Sequence, residues 1–153
     1  MTEVTYSKLV TDLQTIIWKL LKDNIPTSTV KHINDGRPVE LDNNSDYPFI
    51  IVEDPEHSDS YDGRNLDYDT INNSEISIEI NIYTVSSKQL REITDLVKSI
   101  IAKNRTTLNN YGFTKSLITN RPSNPNRLND SSNRYEYNMS ILLTLEWGGS
   151  VLL

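Results

Sequence analysis

Residues 75–84, EISIEINIYT, alternate without a break. Ile76, Ile78, Ile80 and Ile82 fall on one side, and Ser77, Glu79, Asn81 and Tyr83 fall on the other. A period of two over this length specifies a β-strand with one face on a core and one face in water. Something apolar must therefore cover the isoleucines, and the next segment supplies it. Ser86 or Ser87 can cap a helix that runs to about Lys103, with Leu90, Ile93, Leu96, Val97, Ile100 and Ile101 in a single stripe. Lys98 and Lys103 near its end suit the helix dipole. This strand–helix unit is the expected centre of the fold.

The flanking sequence offers parts of the same kind. Residues 5–22 place Leu9, Val10, Leu13, Ile16, Ile17, Leu20 and Leu21 at three- and four-residue spacing, which predicts a helix capped by Thr5 or Ser7. Asn24 and Pro26 end it. Trp18 lies at the edge of that stripe, as a core or interface anchor. Short strands are expected at 29–33, 48–53 and 113–118. A long one is expected at 135–147, where Tyr135, Tyr137, Met139, Ile141, Leu143, Leu145 and Trp147 share one face. The tail Val151, Leu152 and Leu153 can dock as an edge strand or pack on a neighbour. The segments 54–74 and 120–134 are polar and proline-bearing, and read as long loops. Two one-sided helices and several one-sided strands call for an α+β fold: a two-layer sandwich, with a mostly antiparallel sheet and two helices packed on one face. The 153 residues suit a single domain over 1–153.

The same sequence narrows the chemistry. It has no cysteine, which excludes disulfides, thiolate catalysis and cysteine-ligated zinc. No leader pattern opens it, and no apolar run reaches membrane-spanning length, so a soluble protein made in the cytoplasm is expected. There is no nucleophile elbow, phosphate-cradling glycine loop or dinucleotide fingerprint. Only His32 and His57 are available for acid–base work, and the carboxylates cluster in a polar loop that would not raise a pKa. A non-catalytic protein without cofactor or metal is expected. The competing reading is a divalent ion held by oxygen ligands around His57, in a loop that lacks EF-hand spacing.

The net charge of −6 is unevenly distributed. Residues 53–79 carry nine acids against one base, Arg64, whereas residues 98–134 carry seven bases against one acid, Asp130. Two solvated loops would explain this pattern, and so would complementary surfaces on neighbouring copies. On the second reading Arg121, Arg127 or Arg134 of one copy meets Asp59, Asp62, Asp67 or Asp69 of the next. Head-to-tail contacts of this kind close into rings when the rotation permits. Exposed ion pairs contribute little, so apolar anchors must carry most of such an interface, with Trp147 and the 151–153 tail as candidates. Tyr111 and Phe113 among the bases allow at most non-specific nucleic-acid contact, since the whole chain is acidic.

In element order the chain resembles the small tail terminator (tail completion) and head–tail joining proteins of long-tailed bacteriophages. The match lies in the helix around Tyr6 to Leu21, the strand Ile76 to Tyr83 feeding directly into the helix from Ser86 to Lys103, and the long last strand from Tyr135 to Trp147. What the resemblance implies is a virion protein forming a hexameric ring at the head-proximal end of a tail. Such a ring terminates tail-tube polymerisation and joins the tail to the head. Its partners are the major tail tube protein and head–tail connector proteins, with no cofactor and no catalytic residue. A connector in the neck above the terminator, and a stand-alone ferredoxin-like module that binds a ligand or protein, are the alternatives.

Overall fold

The computed structural model describes residues 4–36, 47–60, 70–71, 73–110, 113–127, 135–147 and 151–152. In chain order the elements are β1 (Val4–Thr5), α1 (Tyr6–Asn24), β2 (His32–Asp35), β3 (Phe49–Val52), β4 (Glu56–Ser60), β5 (Thr70–Ile71) and β6 (Asn73–Thr84). There follow α2 (Ser87–Lys103), α3 (Arg105–Asn110), β7 (Phe113–Pro122), β8 (Asn126–Arg127), β9 (Tyr135–Trp147) and β10 (Val151–Leu152). The fold is α+β, as the alternation and the helical stripes require.

The main sheet runs β2-β3-β6-β9-β7, with β4 also on β6 and β8 also on β9. It is antiparallel except for the parallel β2–β3 pair. Its centre is the long β6–β9 pair, which sets Ile76 opposite Leu145, Ile78 opposite Leu143, Ile80 opposite Ile141 and Ile82 opposite Met139. All four isoleucines are fully buried, as are Ile141 and Leu143. Leu13, Ile17 and Leu21 of α1 and Leu90, Ile93, Val97, Ile100 and Ile101 of α2 join them in one cluster. Both helices thus cover the same face. Each fully buried isoleucine contributes roughly 1.5–3 kcal/mol of transfer free energy. Ser86 caps α2 by accepting the Gln89 amide at 3.3 Å.

The first helix ends as its sequence requires, with the Asn24 amide donating to the Leu20 carbonyl (2.8 Å) just before Pro26. The strand expected at 29–33 begins later, at His32, because Thr29 and Val30 donate to the Pro26 carbonyl and close a turn. Gly36 stops β2 in the left-handed region (φ 78°), where a side chain would press on Gln14 Nε2 and Asp54 Oδ1. The short helix α3 was not evident in the sequence. It offers one apolar anchor, Leu108, which is buried.

The two polar segments are where the structure departs most from a loop reading. Val52 lies opposite Ile80, and Glu56 lies opposite Ser77. Four steps along β3–β4 therefore match three along β6, which is a one-residue bulge at residues 53–55. The strand does not end at Asp54-Pro55 but continues to Ser60. The same thing happens at the other side of the sheet. Pro122 lies opposite Met139 and Asn126 opposite Glu136, so β7 resumes as β8 after a bulge that contains Pro125. Proline is tolerated at bulges and on edge strands because no ladder hydrogen bond is required of it there. The tail also finds a place: β10 is the middle strand of a small sheet, parallel to β1 and antiparallel to β5.

The buried ladder makes a direct prediction. Ile78→Ala should lower the unfolding free energy by about 2–5 kcal/mol. Glu79→Ala, one residue along but exposed on the opposite face, should change it by only about 0.5 kcal/mol. Urea unfolding of both variants, read by circular dichroism, checks which face is covered.

Candidate functional site

The face of the sheet turned away from α1 and α2 is polar, but it is not uniformly wet. Asn81 is buried on it, with 7% of its surface exposed. It donates from Nδ2 to Glu53 Oε1 (3.2 Å) and accepts the Ser140 hydroxyl at Oδ1 (2.6 Å). Farther along, the Ser77 and Thr144 hydroxyls lie 3.2 Å apart. This rung of hydrogen bonds ties β3, β6 and β9 across the polar face. A buried amide without partners would be costly, so Glu53 and Ser140 are what permit Asn81 in a strand of isoleucines.

Next to this rung is an aromatic group. Phe49 stacks on Tyr83 with centroids 4.7 Å apart, and Tyr47 tilts against Phe49 at 5.3 Å. The Tyr47 hydroxyl donates to the Glu136 carboxylate. Burial pushes the Tyr83 phenol above its ordinary value of 10.0, and the carboxylates of Glu53, Glu136 and Glu79 push it further in the same direction. The potential on this side is negative.

Two shallow depressions mark the same face. One of about 370 Å3 is lined by Glu53, Asp54, Ser77, Glu79, Asn81 and Leu142. Another of about 230 Å3 is lined by Glu79, Thr119, Asn120, Arg121, Ser140 and Leu142. The first is acidic and the second contains Arg121, so charge changes sign across the sheet from β3 to β7. Neither holds an apolar lining suited to a small organic ligand. Among the described residues no group of three His, Cys, Asp or Glu side chains could hold a metal ion. Also among them, no helix is long and apolar enough to cross a membrane.

The residues singled out from the sequence lie in three situations. Asp62, Asp67, Asp69 and Arg134 lie outside the described residues. Asp59 belongs to β4, where its backbone pairs with Ser74, and Ser74 pairs in turn with Trp147. Trp147 also pairs with Phe113, so Asp59 and Trp147 share one rung near the end of β9. Arg121 lies on β7 opposite Ser140 with its side chain exposed, and Arg127 lies on β8 opposite Tyr135 at the start of β9. The structure therefore sets Arg127 at one end of β9, Arg121 opposite its middle and Asp59 on the rung at its other end. Thirteen residues of strand separate those ends by roughly 40 Å.

This arrangement identifies two hairpin arms. The first is β4 with the first half of β6, and it is acidic; the second is β8 with the start of β9, where Arg127 is offset by Glu136, so the basic strand is β7, with Lys115 and Arg121 and no acid. The two arms leave opposite ends of the sheet, because β6 and β9 are antiparallel. Within one chain Asp59 and Arg127 are therefore far apart, whereas Glu79 and Arg121 line one depression.

Tyr135 was not singled out as an anchor. It is 45% exposed and is the exposed large hydrophobic among the described residues. Its only sequence signal was its place as the first aromatic of the alternating run, where the helices no longer reach. Trp18, by contrast, is engaged inside the chain. Its Nε1 donates to the Ile33 carbonyl (2.9 Å), and the Lys22 ammonium lies 4.6 Å from its ring centroid. No family model matches the chain, and no curated protein matches it.

The raised Tyr83 pKa makes a signed prediction. Because the folded state holds this phenolic proton more tightly than the unfolded chain does, stability is fully present below pH 10.0 and is lost as pH rises above it. Tyr83→Phe should flatten that alkaline loss. In a spectrophotometric titration the same variant should remove a late-ionising tyrosine, and Glu53→Gln should bring that ionisation earlier.

Proposed function

We propose that this chain is a non-catalytic, self-assembling structural protein of a long-tailed bacteriophage. In this reading it forms a ring at the head-proximal end of the tail, terminates tail-tube polymerisation and joins the tail to the head. The observation that carries the proposal is the placement of an acidic strand, β4, on one edge of the sheet and a basic strand, β7, on the other. A contact that joins unlike edges repeats from copy to copy, and it closes if each step adds a fixed rotation. A contact that joins like edges would bring like charges together.

Element order supports the phage reading further, since a helix, a strand feeding directly into a second helix and a long final strand are shared with the terminator and joining proteins. The partners in this reading are the tail tube below the ring and the head–tail connector above it. The two edges suit such a role because the isoleucine ladder of β6 lies inside them, so assembly need not disturb it.

Exposed charge pairs contribute about 0–1 kcal/mol each, so the charged edges set register and orientation more than affinity. Tyr135, in the outermost described pair of β8 and β9, is the candidate anchor, together with Trp147 on the rung of Asp59.

Light scattering coupled to size-exclusion chromatography, with negative-stain imaging of the peak, tests this reading. The expected result is a closed ring of uniform size whose population falls as salt rises. A strict monomer at every protein and salt concentration contradicts it. Arg127→Glu should weaken assembly in low salt, and Tyr135→Ala should weaken it by about 1–2 kcal/mol per contact if the tyrosine is a buried anchor. Unchanged assembly in Arg127→Glu refutes the role of that arginine.

A further inference from the structure

The backbone has one more property that bears on how copies meet, and it concerns the sheet edges. The Ser123 amide donates to the Asn138 carbonyl at 3.1 Å, in line with the β7–β9 register. Hydrogen-bonded and non-hydrogen-bonded pairs alternate in an antiparallel ladder. Thr119 and Arg121 therefore bond to β9, whereas Ser116, Ile118 and Asn120 turn their N–H and C=O groups outward. Pro122 falls on an outward position, where the missing N–H leaves the β9 ladder intact. Among the described residues no strand pairs with this outer edge.

The opposite side of the sheet is different at its two ends. Along β2 the edge is short, and Trp18 of α1 reaches over it to bond the Ile33 carbonyl. That edge is closed to a further strand. Along β4 it is not. The Glu53 amide donates to Glu79 (2.9 Å), so the odd-numbered residues of β6 serve this side. Glu56, Ser58 and Ser60 consequently bond to β6, and His57 and Asp59 turn their backbone groups outward. Gly36 ends β2 before it can run alongside β4.

Strand direction and charge decide what the open edge of β7 accepts. Across the sheet β4, β6, β9 and β7 alternate in direction. Four alternating strands mean that copies in the same orientation bring β4 antiparallel to β7. Residues 113–127 carry Lys115, Arg121 and Arg127 and no acid, while residues 53–60 carry Glu53, Asp54, Glu56 and Asp59 and no lysine or arginine. Pairing β7 with itself about Ile118 would instead set Lys115 against Arg121, a like-charge opposition.

We infer that the outer edge of β7, over residues 116–120, is a strand-addition site whose occupant is β4 of a second copy of this chain. The inference rests on the self-assembly reading above and adds how adjacent copies join. Each contact continues the antiparallel sheet from one copy into the next. Because β2 stands one strand outside β4 at the other end of the sheet, the copies meet with an offset along the strands, as the stagger of closed sheets requires.

The test uses the full chain and two variants. Asn120→Pro removes an outward N–H and leaves every β7–β9 bond in place, whereas Asn120→Ala keeps the N–H. Sedimentation velocity should show the alanine variant assembling like the parent. The proline variant should be folded by circular dichroism and should dissociate about tenfold or more readily, consistent with a lost backbone hydrogen bond and a crowded edge. Residue-resolved amide exchange on the parent should show the Ser116, Ile118 and Asn120 amides protected in the assembly and fast on dilution to monomer.

A parent that assembles with these three amides still exchanging fast, or a proline variant that assembles like the parent, overturns the β7 edge and leaves self-assembly standing. So does assembly that stops at a two-fold dimer with those amides protected, since that is β7 pairing with itself. A parent that never assembles overturns both readings.

Discussion

Burial of the isoleucine side of β6 against α1 and α2 is the interaction on which the rest of this molecule depends. The four isoleucines meet Leu145, Leu143, Ile141 and Met139 along β9 and the leucines, isoleucines and valine of the two helices above. A shift of one residue in the β6–β9 register would turn every one of them to the opposite face. The register is therefore fixed by the core, and everything attached to these two strands inherits its position. That includes β4 on the early part of β6 and β8 on the early part of β9. The placement of acidic β4 and basic β7 on opposite edges is thus a consequence of core packing and not of any attraction between them.

The polar face shows what the same scaffold permits once stability is secured elsewhere. Asn81 sits within a strand of isoleucines because Glu53 and Ser140 satisfy its amide. Those bonds hold β3, β6 and β9 together on the side that the helices do not reach. The two edge strands then break at proline-bearing bulges and resume. A bulge strengthens local twist, so each arm can leave the plane of the sheet while staying paired at its base. The sheet ends differ in the same functional sense: Trp18 closes the β2 edge, and nothing described closes that of β7.

Much of this was legible in the sequence, for definite reasons. EISIEINIYT and YEYNMSILLTLEW show period two because one face is buried along their whole length, and α2 shows its stripe and its Ser86 cap for the same reason. Strands β4 and β8 were not legible. Glu56 to Ser60 and Asn126-Arg127 bury no apolar ladder, so their pairing rests on backbone bonds that leave no hydrophobic signature. Pro55 then looked like a strand ending and Pro125 like part of a loop, when both mark bulges. The wet face of β6 was read too simply, because Asn81 is buried through partners far away in sequence. The charge asymmetry was visible from composition, but the edges of the sheet to which it belongs appear only with the topology.

The absence of cysteine makes the central claim, that the acidic β4 edge of one copy meets the basic β7 edge of another, open to direct measurement. Asp59→Cys and Asn120→Cys, which the register sets on the same face of the sheet, can be made separately, mixed and mildly oxidised. The expected result is a disulfide between unlike variants that forms faster than either homodimer, and a ladder of cross-linked species from the chain carrying both substitutions. Homodimers alone, or no cross-link while the protein is assembled, would contradict it.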